Sequence, residues 1–523
     1  MEQNHFKRIA ALDIGTNSFH VVIVDVFGDG TYKSRDKYKE MVGLGDDIVN
    51  GKLTGETMER ALSAMKKIQL LCEHQEVEEI IAYATSAVRE TSNGGEFIQK
   101  VIDLTGIKIQ AIPGNKEGML IGKAVQRAVM LDHRPALIVD IGGGSVEFIL
   151  ADKNKIHFIK SLKIGVGRTL AKFVKNDPIE EEEIEEMEQH FRQALVQITR
   201  AISEHQPTLM VGSSGTMENI AEMIAKRQKQ DTSVTLNEFE YTPEQFEDLY
   251  NDFITKDKED RLSVSGLDDK RVDLIIPGLI LTRLIIRQFG FKRMKASTDA
   301  LREGMILDYI ERHKDKFKKL DEFETARDRS IYQLLELYNW HEDHSKHVKK
   351  IALKLFDDLQ PWHQLSFHDR ELLGYACLMH DIGYFISRRK HHKHALYIIQ
   401  NSELRGFDNE EIQIMAHVAR YHRRSTPKKR HDQYHNLPSD VRKRIKKLSA
   451  FMRVADGLDR SHFQLVMKVR AKMEKKRVLI TIENEEDPQL EIWGANRKKE
   501  LMEDLFEKSI EIEAGSLEED ETL

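Results

Sequence analysis

Apolar and polar positions divide the chain into two parts of different texture. Up to about residue 310, short apolar runs of strand length alternate with longer segments of helical period, which is typical of α/β folds. Beyond about residue 325 helical periodicity takes over, until two or three short strands are predicted within residues 467–494. The pattern therefore predicts an α/β part, then an all-α domain and a small β-containing C-terminal part.

The same texture predicts four segments. At 523 residues the chain is too long for a single hydrophobic core. We expect a first lobe at residues 1–128, a second lobe at 129–310, a helical domain at 325–463 and the β-containing part at 464–523. A highly charged stretch near 310–328 predicts a linker helix, and the final residues, SLEEDETL, are expected to be disordered.

Two glycine turns follow apolar strands at corresponding places in the two lobes. The first lies in AALDIGTNSFHVVIVDV and the second in PALIVDIGGGSVEFILAD. In each, an apolar strand ends at an acidic residue, Asp13 or Asp140, and a second apolar strand follows the glycines. Glycine lets backbone N–H groups approach a phosphate closely, and the two carboxylates are hard ligands suited to Mg²⁺. This internal repeat predicts two similar lobes with a polyanion and a metal ion bound between them.

The small residues of these turns are candidate phosphate ligands. A plain β-turn is the alternative for either turn alone, but a third glycine turn, in VGSSGTMENIA, favours phosphate binding. Neither hairpin follows the Walker pattern. The candidate phosphate-binding residues are Asn17, Ser18, Gly143, Gly144, Ser145, Ser214, Gly215 and Thr216.

Composition and charge narrow the class of protein. The two cysteines, Cys72 and Cys377, exclude a disulfide framework and fit a reducing compartment. No apolar run reaches the length of a membrane span and the start lacks a signal-peptide core, so we expect a cytoplasmic protein. The net charge of −7 means that local basic clusters must attract any polyanion. We expect neither a nucleic-acid nor a membrane partner.

The first hairpin and six later segments occur in an order that resembles the exopolyphosphatase and guanosine pentaphosphate phosphohydrolase family. The six are IIAYATSAVRETSNG, PGNKEG, DIGGGSVE, SLKIGVGR, GSSGT and STDALREGMILDYI. The resemblance covers roughly residues 6–310. It implies the fold of the actin, hexokinase and sugar-kinase superfamily, with two actin-like (ribonuclease H-like) lobes and a cleft between them. It also implies removal of terminal phosphate from polyphosphate, from guanosine pentaphosphate, or from both.

The resemblance assigns roles to three charged residues. Glu117 takes the position of the family's catalytic glutamate and would be the general base; the alternative is a first-turn glutamate that complements the helix dipole. Glu147 would reach a metal-bound water, or would be a solvated strand residue. Arg89 would grip substrate phosphate, or would form a surface salt bridge with a nearby acid. The chain departs from many relatives in having Lys116 before Glu117 and Gly118 after it.

The helical half is rich in histidine, with 14 of the 22 histidines between residues 341 and 462. His344, His380, Asp381 and Asp456 resemble the His, His-Asp, Asp set of HD-type phosphohydrolases. Segments HHKHALYII and VARYHRR match that domain's accessory positions. Imidazole and carboxylate groups on adjacent helices would hold a second divalent metal. The alternative is a helical scaffold with hydrogen-bonded histidines.

Together these observations predict an Mg²⁺-dependent exopolyphosphatase, a hydrolase of acid anhydrides in phosphorus-containing compounds, with Glu117 as general base. The nearest alternative is a guanosine pentaphosphate phosphohydrolase, which would use the same machinery. More distant alternatives are a kinase of the same superfamily and a non-catalytic polyphosphate or alarmone sensor. The family's tendency implies a homodimer.

Overall fold

The computed structural model describes residues 7–27, 30–45, 48–313, 325–484 and 487–515. The chain forms two compact units, an N-terminal unit of residues 1–326 and a C-terminal unit of residues 327–523. Part of the predicted linker helix, residues 314–324, and the predicted disordered tail from residue 516 lie outside the described residues.

The N-terminal unit contains two large sheets and a short two-stranded one. Its strands are β1 (Lys7–Ile14), β2 (Ser18–Val26), β3 (Tyr32–Met41), β4 (Ile48–Val49), β5 (Lys52–Leu53), β6 (Glu79–Ala84), β7 (Ile109–Ala111), β8 (Ala136–Ile141), β9 (Val146–Ala151), β10 (Ile156–Leu162), β11 (Leu209–Ser213), β12 (Glu240–Tyr241) and β13 (Arg293–Ala296). Its helices are α1 (Gly55–His74), α2 (Ser86–Glu90), α3 (Gly94–Thr105), α4 (Gly114–Ala128), α5 (Val166–Phe173), α6 (Glu181–His205), α7 (Ser214–Arg227), α8 (Pro243–Phe253), α9 (Lys258–Leu262), α10 (Ile275–Phe289) and α11 (Leu301–Arg312), with a 3₁₀ turn at Asp269–Arg271.

The two large sheets repeat one topology. The first has the order β3-β2-β1-β6-β7 and the second the order β10-β9-β8-β11-β13-β12. In the first sheet, β1, β2 and β3 pair antiparallel, and β1 also pairs parallel with β6, which follows a helical crossover. In the second sheet, β8, β9 and β10 pair antiparallel, and β8 also pairs parallel with β11, which again follows a helical crossover. The β1–β2 and β8–β9 hairpins therefore occupy equivalent places in a duplicated fold, as two actin-like lobes require.

Burial explains why these segments form strands. Every residue of β8 and β9 is buried, which suits continuous apolar runs in the centre of a covered sheet. Strand β3 alternates between half-buried and exposed positions and lies at the edge of its sheet. The central strands are thus held in place by packing, and this packing also restrains the turns that follow them.

One of the hydrophobic cores of the N-terminal unit joins the two sheets through α4 and α11. It contains Ile9 of the first sheet, Ile138 of the second, Leu120 of α4 and Met305 of α11. The helices approach closely at Gly304, where a Cβ would lie 2.1 Å from the Leu120 carbonyl oxygen. Helix α4 is therefore wedged between both sheets and α11, and its first turn is held in place.

The C-terminal unit is mainly helical and ends in a small sheet. Its helices are α12 (Ala326–Leu337), α13 (Glu342–Asp358), α14 (Gln360–His363), α15 (Phe367–Met379), α16 (His391–Gln400), α17 (Asn409–Arg420), α18 (Asp432–His435), α19 (Ser439–Gly457), α20 (Gln489–Asn496) and α21 (Glu500–Phe506), with a 3₁₀ turn at Ile382–Phe385. Its strands are β14 (Val466–Met473), β15 (Arg477–Asn484) and β16 (Ser509–Ala514).

The small sheet has the order β14-β15-β16. Strands β14 and β15 are those predicted from the sequence, but QLEIWG, counted as a possible third strand, begins helix α20 instead. The third strand is β16, which pairs parallel with β15 after two short helices. Among the residues that the structure describes, no helix combines the length and apolar character needed to cross a membrane.

Candidate active site

The two hairpin turns of the N-terminal unit share one backbone geometry. In the first, the Gly15 N–H donates to the Ser18 carbonyl over 3.1 Å, and in the second the Gly142 N–H donates to the Ser145 carbonyl over 3.1 Å. A Cβ on either glycine would lie 3.0 Å from that carbonyl, so both turns favour glycine. Both turns line one cleft in this unit.

The turns approach each other closely. A Cβ on Gly143 would lie 2.7 Å from Asn17 Oδ1, and a Cβ on Gly144 would lie 2.2 Å from Ser86 Oγ. Ser86 also shares a hydrogen bond of 2.9 Å with Thr16 of the first turn. Residues from the two lobes thus meet around one small space, which the absence of side chains at the two glycines keeps open.

The N-terminus of α7 forms another wall of the cleft. The first N–H groups of a helix have no intrahelical partner and attract anions. Gly215 and Thr216 of this first turn line the cleft. Ser214, with a φ of 80°, donates its hydroxyl proton to the Ile141 carbonyl over 3.0 Å. A bound phosphate would therefore accept a hydrogen bond from the backbone N–H of Ser214 and not from its hydroxyl group.

Asp13 and Asp140 are the penultimate residues of β1 and β8, and both line the cleft. Ser213 donates to Asp140 Oδ2 over 3.0 Å, whereas Asp13 Oδ1 is buried without a hydrogen-bond partner among the described residues. Burial raises the pKa of Asp13 to about 7 and that of Asp140 to about 6, and the Arg302 guanidinium opposes both shifts. Two buried carboxylates, one with an unpartnered oxygen, fit a hard divalent cation such as Mg²⁺.

Glu117 lies in the first turn of α4 and lines the same cleft. Arg89 Nη1 donates to Glu117 Oε2 over 3.1 Å. Burial and the neighbouring Glu147 raise the pKa of Glu117 well above its ordinary value of 4.5, against the effect of Arg89. Lys116 pairs instead with Asp308 of α11, with Nζ 3.1 Å from Oδ2. Arg89, and not the adjacent lysine, is therefore the cation that contacts the carboxylate.

Glu147 lies on β9, directly opposite Asp140 in the strand pair, and is 1% exposed. Ser161 donates to its Oε1 over 2.6 Å. Burial and Asp140 raise its pKa to about 7. Helix α4 packs closely at Gly118, where a Cβ would lie 2.6 Å from Ile159 Cγ2 of β10 and 3.8 Å from Cγ of Glu147. Glycine after Glu117 therefore allows the close packing that brings the two glutamates together.

Sequence reasoning missed several titratable residues of the cleft. Arg302 of α11 donates from Nη1 to His20 Nδ1 over 2.8 Å. Burial and Arg302 lower the pKa of His20 to about 2, so this imidazole is neutral. His20 holds the place in the first hairpin that Glu147 holds in the second, so aligning the two hairpins would have indicated it. The missed residues are His20, Glu218, Arg271 and Arg302.

The C-terminal unit contains a separate buried cluster. His344 Nε2 of α13 lies 3.6 Å from Asp456 Oδ1 of α19 and 3.8 Å from Asp381 Oδ2. His380 Nε2 lies 3.6 Å from the same Asp381 oxygen. The four residues of the predicted HD set are therefore adjacent. Lys498, which follows α20, also pairs with Asp456.

Two further histidines extend this cluster on the other side of Asp381. His391 Nε2 of α16 lies 3.2 Å from Asp381 Oδ1, and His422 Nε2 lies 3.7 Å from it. The ligand atoms of His344, His380 and Asp381 lie within 4.8 Å of one another, and so do those of Asp381, His391 and His422. Asp381 thus belongs to two adjacent groups of potential metal ligands.

Comparison with models of known protein families identifies the family of this chain. The model of the Ppx/GppA phosphatase family matches residues 30–313, more than half of the chain. The chain belongs to this family. A second model, for domain III of the Ppx/GppA phosphatases, matches residues 326–504. The family recognised from the turn motifs is thus confirmed.

Two solved structures match the chain over somewhat more than half of its length. An exopolyphosphatase from Cytophaga hutchinsonii is 32% identical, with a TM-score of 0.55, over 58% of this chain and 98% of its own. A family member from Aquifex aeolicus is 24% identical, with a TM-score of 0.52, over 59% of this chain and 99% of its own. The predicted fold class is therefore confirmed, and the protein is a hydrolase that acts on phosphoanhydride bonds.

Within this Ppx/GppA cleft, the structure brings together both predicted metal-binding aspartates, Glu117 and the predicted residues of the glycine turns. Arg89 and Glu147 adjoin the cleft through Glu117. The predicted HD residues lie apart, in the C-terminal unit. The individual roles assigned to these residues stay predictions.

Proposed function

We propose that the protein is an exopolyphosphatase that hydrolyses the terminal phosphoanhydride of inorganic polyphosphate and releases orthophosphate. The observation that carries the proposal is the position of Glu117, a buried carboxyl of raised pKa that faces a cleft walled by two glycine turns and a helix N-terminus. The likeness to the Cytophaga hutchinsonii exopolyphosphatase supports polyphosphate as the substrate class.

The chemistry follows from the arrangement. Hydrolysis of a phosphoanhydride passes through a loose transition state, so positioning and charge neutralisation dominate. Asp13 and Asp140 would hold Mg²⁺, which when bound neutralises phosphate charge. The turn N–H groups would hold the terminal phosphate, and Glu117 would take a proton from the attacking water. A raised pKa makes Glu117 a stronger base, and Arg89 keeps its carboxylate oriented.

Guanosine pentaphosphate is the rival substrate, because it also ends in a phosphoanhydride. A non-catalytic sensor of polyphosphate or of an alarmone is the rival of a different class. A kinase of the same superfamily would transfer phosphate from polyphosphate to ADP. Cytoplasmic location and a homodimer stay predictions from the sequence.

The decisive experiment measures phosphate release with Mg²⁺ from long-chain polyphosphate and, in parallel, from guanosine pentaphosphate. Removing a positioned general base typically slows a reaction by about 10²–10⁴-fold. We therefore expect Glu117→Gln to lose kcat by that order while it still binds polyphosphate. Release from the nucleotide alone would favour the rival substrate, and no release from either would favour the sensor.

Glu96 provides a matched control for this substitution. It lies in the first turn of α3, as Glu117 lies in the first turn of α4, but it is exposed. If Glu117 only complemented a helix dipole, either substitution would cost about 0.3–1 kcal/mol of stability and neither would stop turnover. We expect Glu96→Gln to keep full activity.

We further propose that the histidine cluster of the C-terminal unit binds two divalent metal ions bridged by Asp381. The carrying observation is the orientation of the imidazoles. Nδ1 of His344 lies 2.7 Å from Asp459 Oδ2, and Nδ1 of His380 and His422 lies 2.7 Å from backbone carbonyls. Each Nδ1 therefore donates, and the Nε2 lone pairs point into the cluster, as in metal-ligating histidines.

The opposed Nε2 atoms strengthen this second proposal. His344 and His380 approach to 3.2 Å between Nε2 atoms, and His391 and His422 to 3.3 Å. Nδ1 of both His344 and His380 donates, so neither neutral ring has a proton at Nε2 to join this pair, and a shared cation is the natural partner. In the other pair, Nη1 of Arg423 also lies 3.2 Å from His391 Nε2, so a second ion would take the place of that guanidinium. Imidazole and carboxylate together suit Mn, Fe or Zn.

Metal analysis of the purified whole chain tests the second proposal. We expect about two equivalents of a transition metal, reduced in His380→Ala and in His391→Ala, with matched control His435→Ala unchanged. His435 is an exposed histidine of α18. Wild-type protein that binds no added Mn²⁺ or Zn²⁺ would contradict the site.

A further inference from the structure

The duplicated hairpins carry different chemistry at equivalent positions. Asp13 pairs with His20 in the first hairpin, and Asp140 pairs with Glu147 in the second. The serine two residues earlier is present in both hairpins, as Ser18 and Ser145. One lobe therefore has an imidazole where the other has a carboxylate, beside the same serine.

The contacts of His20 determine which nitrogen carries its proton. Arg302 Nη1 lies 2.8 Å from His20 Nδ1, and His20 Nε2 lies 2.7 Å from Ser18 Oγ. A guanidinium can only donate hydrogen bonds, so Nδ1 must be the acceptor. The ring proton therefore lies on Nε2, and it is donated to Ser18 Oγ.

The direction of the hydrogen bond from His20 determines how the Ser18 hydroxyl can use its own proton. A hydroxyl has one proton to donate and two lone pairs. Because one lone pair of Ser18 accepts from His20, its proton is turned to another acceptor, and Ser18 lines the cleft. In the second lobe the polarity is reversed, since Glu147 accepts a hydrogen bond from Ser145, the equivalent serine, and a second one of 2.6 Å from Ser161.

We propose that Arg302 and His20 are positioning residues that commit the Ser18 hydroxyl to donate its proton to an oxygen of the bound phosphate. The chain of donors runs from α11 through β2 to the first turn. It also explains why a half-buried arginine lies beside a histidine, since the imidazole accepts a hydrogen bond from the guanidinium. The inference rests on the proposed function only in taking a phosphate as the ligand.

The test uses binding, so that turnover does not interfere. Inorganic tripolyphosphate is titrated with Mg²⁺ into the whole chain carrying Glu117→Gln, with and without changes at His20. Glutamine can accept from Arg302 and donate to Ser18 as the imidazole does, whereas leucine can do neither. We expect His20→Leu to weaken binding by roughly two- to tenfold and His20→Gln to restore most of it.

A double-mutant cycle shows whether His20 acts through Ser18. Ser18→Ala removes a hydrogen bond to a charged group, so we expect binding to weaken by roughly ten- to a hundredfold. His20→Leu should then have no further effect in the Ser18→Ala background, because contacting residues of one network are not additive. A merely structural role for His20 would weaken binding by the same factor in both backgrounds.

The outcomes separate this inference from the proposed function. Equal losses of binding affinity in His20→Leu and His20→Gln would overturn the inference, and so would independent effects of His20 and Ser18. Thermal unfolding of each variant identifies a loss of affinity that is caused by misfolding. His20→Leu in the active chain should raise KM more than it lowers kcat. Failure of the wild type to release phosphate would refute the proposed function, while the binding series would still decide the inference.

Discussion

At the scale of single residues, the cleft contains several carboxyl groups whose neutral form is favoured by burial. Burial raises the pKa of Asp13 and Glu147 to about 7 and that of Asp140 to about 6. Burying several carboxylates without a cation is costly, because each loses its hydration. The arrangement therefore suits the proposed divalent cation, and the raised pKa of Glu117 suits the proposed role of this residue as a proton acceptor.

The raised pKa of Glu117 predicts the pH dependence of activity. A general base acts as the carboxylate, so kcat/KM should be highest at alkaline pH and fall on acidification well before the ordinary carboxyl value of 4.5. Since Arg89 lowers the pKa of Glu117, Arg89→Gln should move the acid limb to higher pH. Rates of phosphate release between about pH 5 and 8, where the maximal stability of proteins tends to lie, would check this. An acid limb that stays in place in Arg89→Gln would contradict it.

At the scale of elements, α4 carries Glu117 and is packed closely against its neighbours at glycines. Besides the approach of Gly304 to the Leu120 carbonyl, a Cβ on Gly122 would lie 2.7 Å from Ile156 Cδ1. Glycines on α4 and α11 thus set how closely this helix packs on the sheets and on α11. The position of the base depends on packing behind the cleft.

Gly304→Ala tests this dependence. The new Cβ would meet backbone that cannot move aside, so we expect a loss of about 1–3 kcal/mol in the free energy of unfolding, together with a lower kcat. Gly95→Ala is the matched control, because a Cβ there meets no atom within 4 Å. Denaturant unfolding and phosphate release would be measured on both variants. If Gly304→Ala had wild-type stability, α11 would be able to move away from α4 at little cost in free energy.

At the scale of the whole molecule, the chain combines two compact units, each matched by its own Ppx/GppA family model. The match to the Cytophaga hutchinsonii exopolyphosphatase covers 58% of this chain and 98% of that solved chain. The described residues that line the cleft with Glu117 belong to residues 1–326. The chemistry proposed for the cleft should therefore not need the C-terminal unit.

Expression of residues 1–326 alone tests this division of labour. We expect a cooperatively unfolding protein that releases phosphate from tripolyphosphate with a kcat close to that of the whole chain. The same fragment with Glu117→Gln is the control for contaminating phosphatases. A folded but inactive fragment would show that the C-terminal unit takes part in catalysis.

Several features of the fold and the site could be predicted from the sequence because they depend on local chemistry. Strands β1 and β8 are continuous apolar runs, and the glycines that follow them allow a compact turn that other residues do not. Helical period likewise identified the C-terminal unit. The third small strand was misplaced, because the short apolar run in QLEIWG fits a helix as well as a strand.

The sequence by itself determined the repeat of two glycine turns, the aspartates before them and the change to a helical unit, since each follows from neighbours along the chain. The tertiary structure alone decided which charges meet in the cleft. Arg302 and His20 are 282 residues apart, and Lys116 turns to Asp308 although Glu117 is its neighbour. Such contacts depend on how α11 packs against the first sheet and α4, and no local period or spacing encodes that packing.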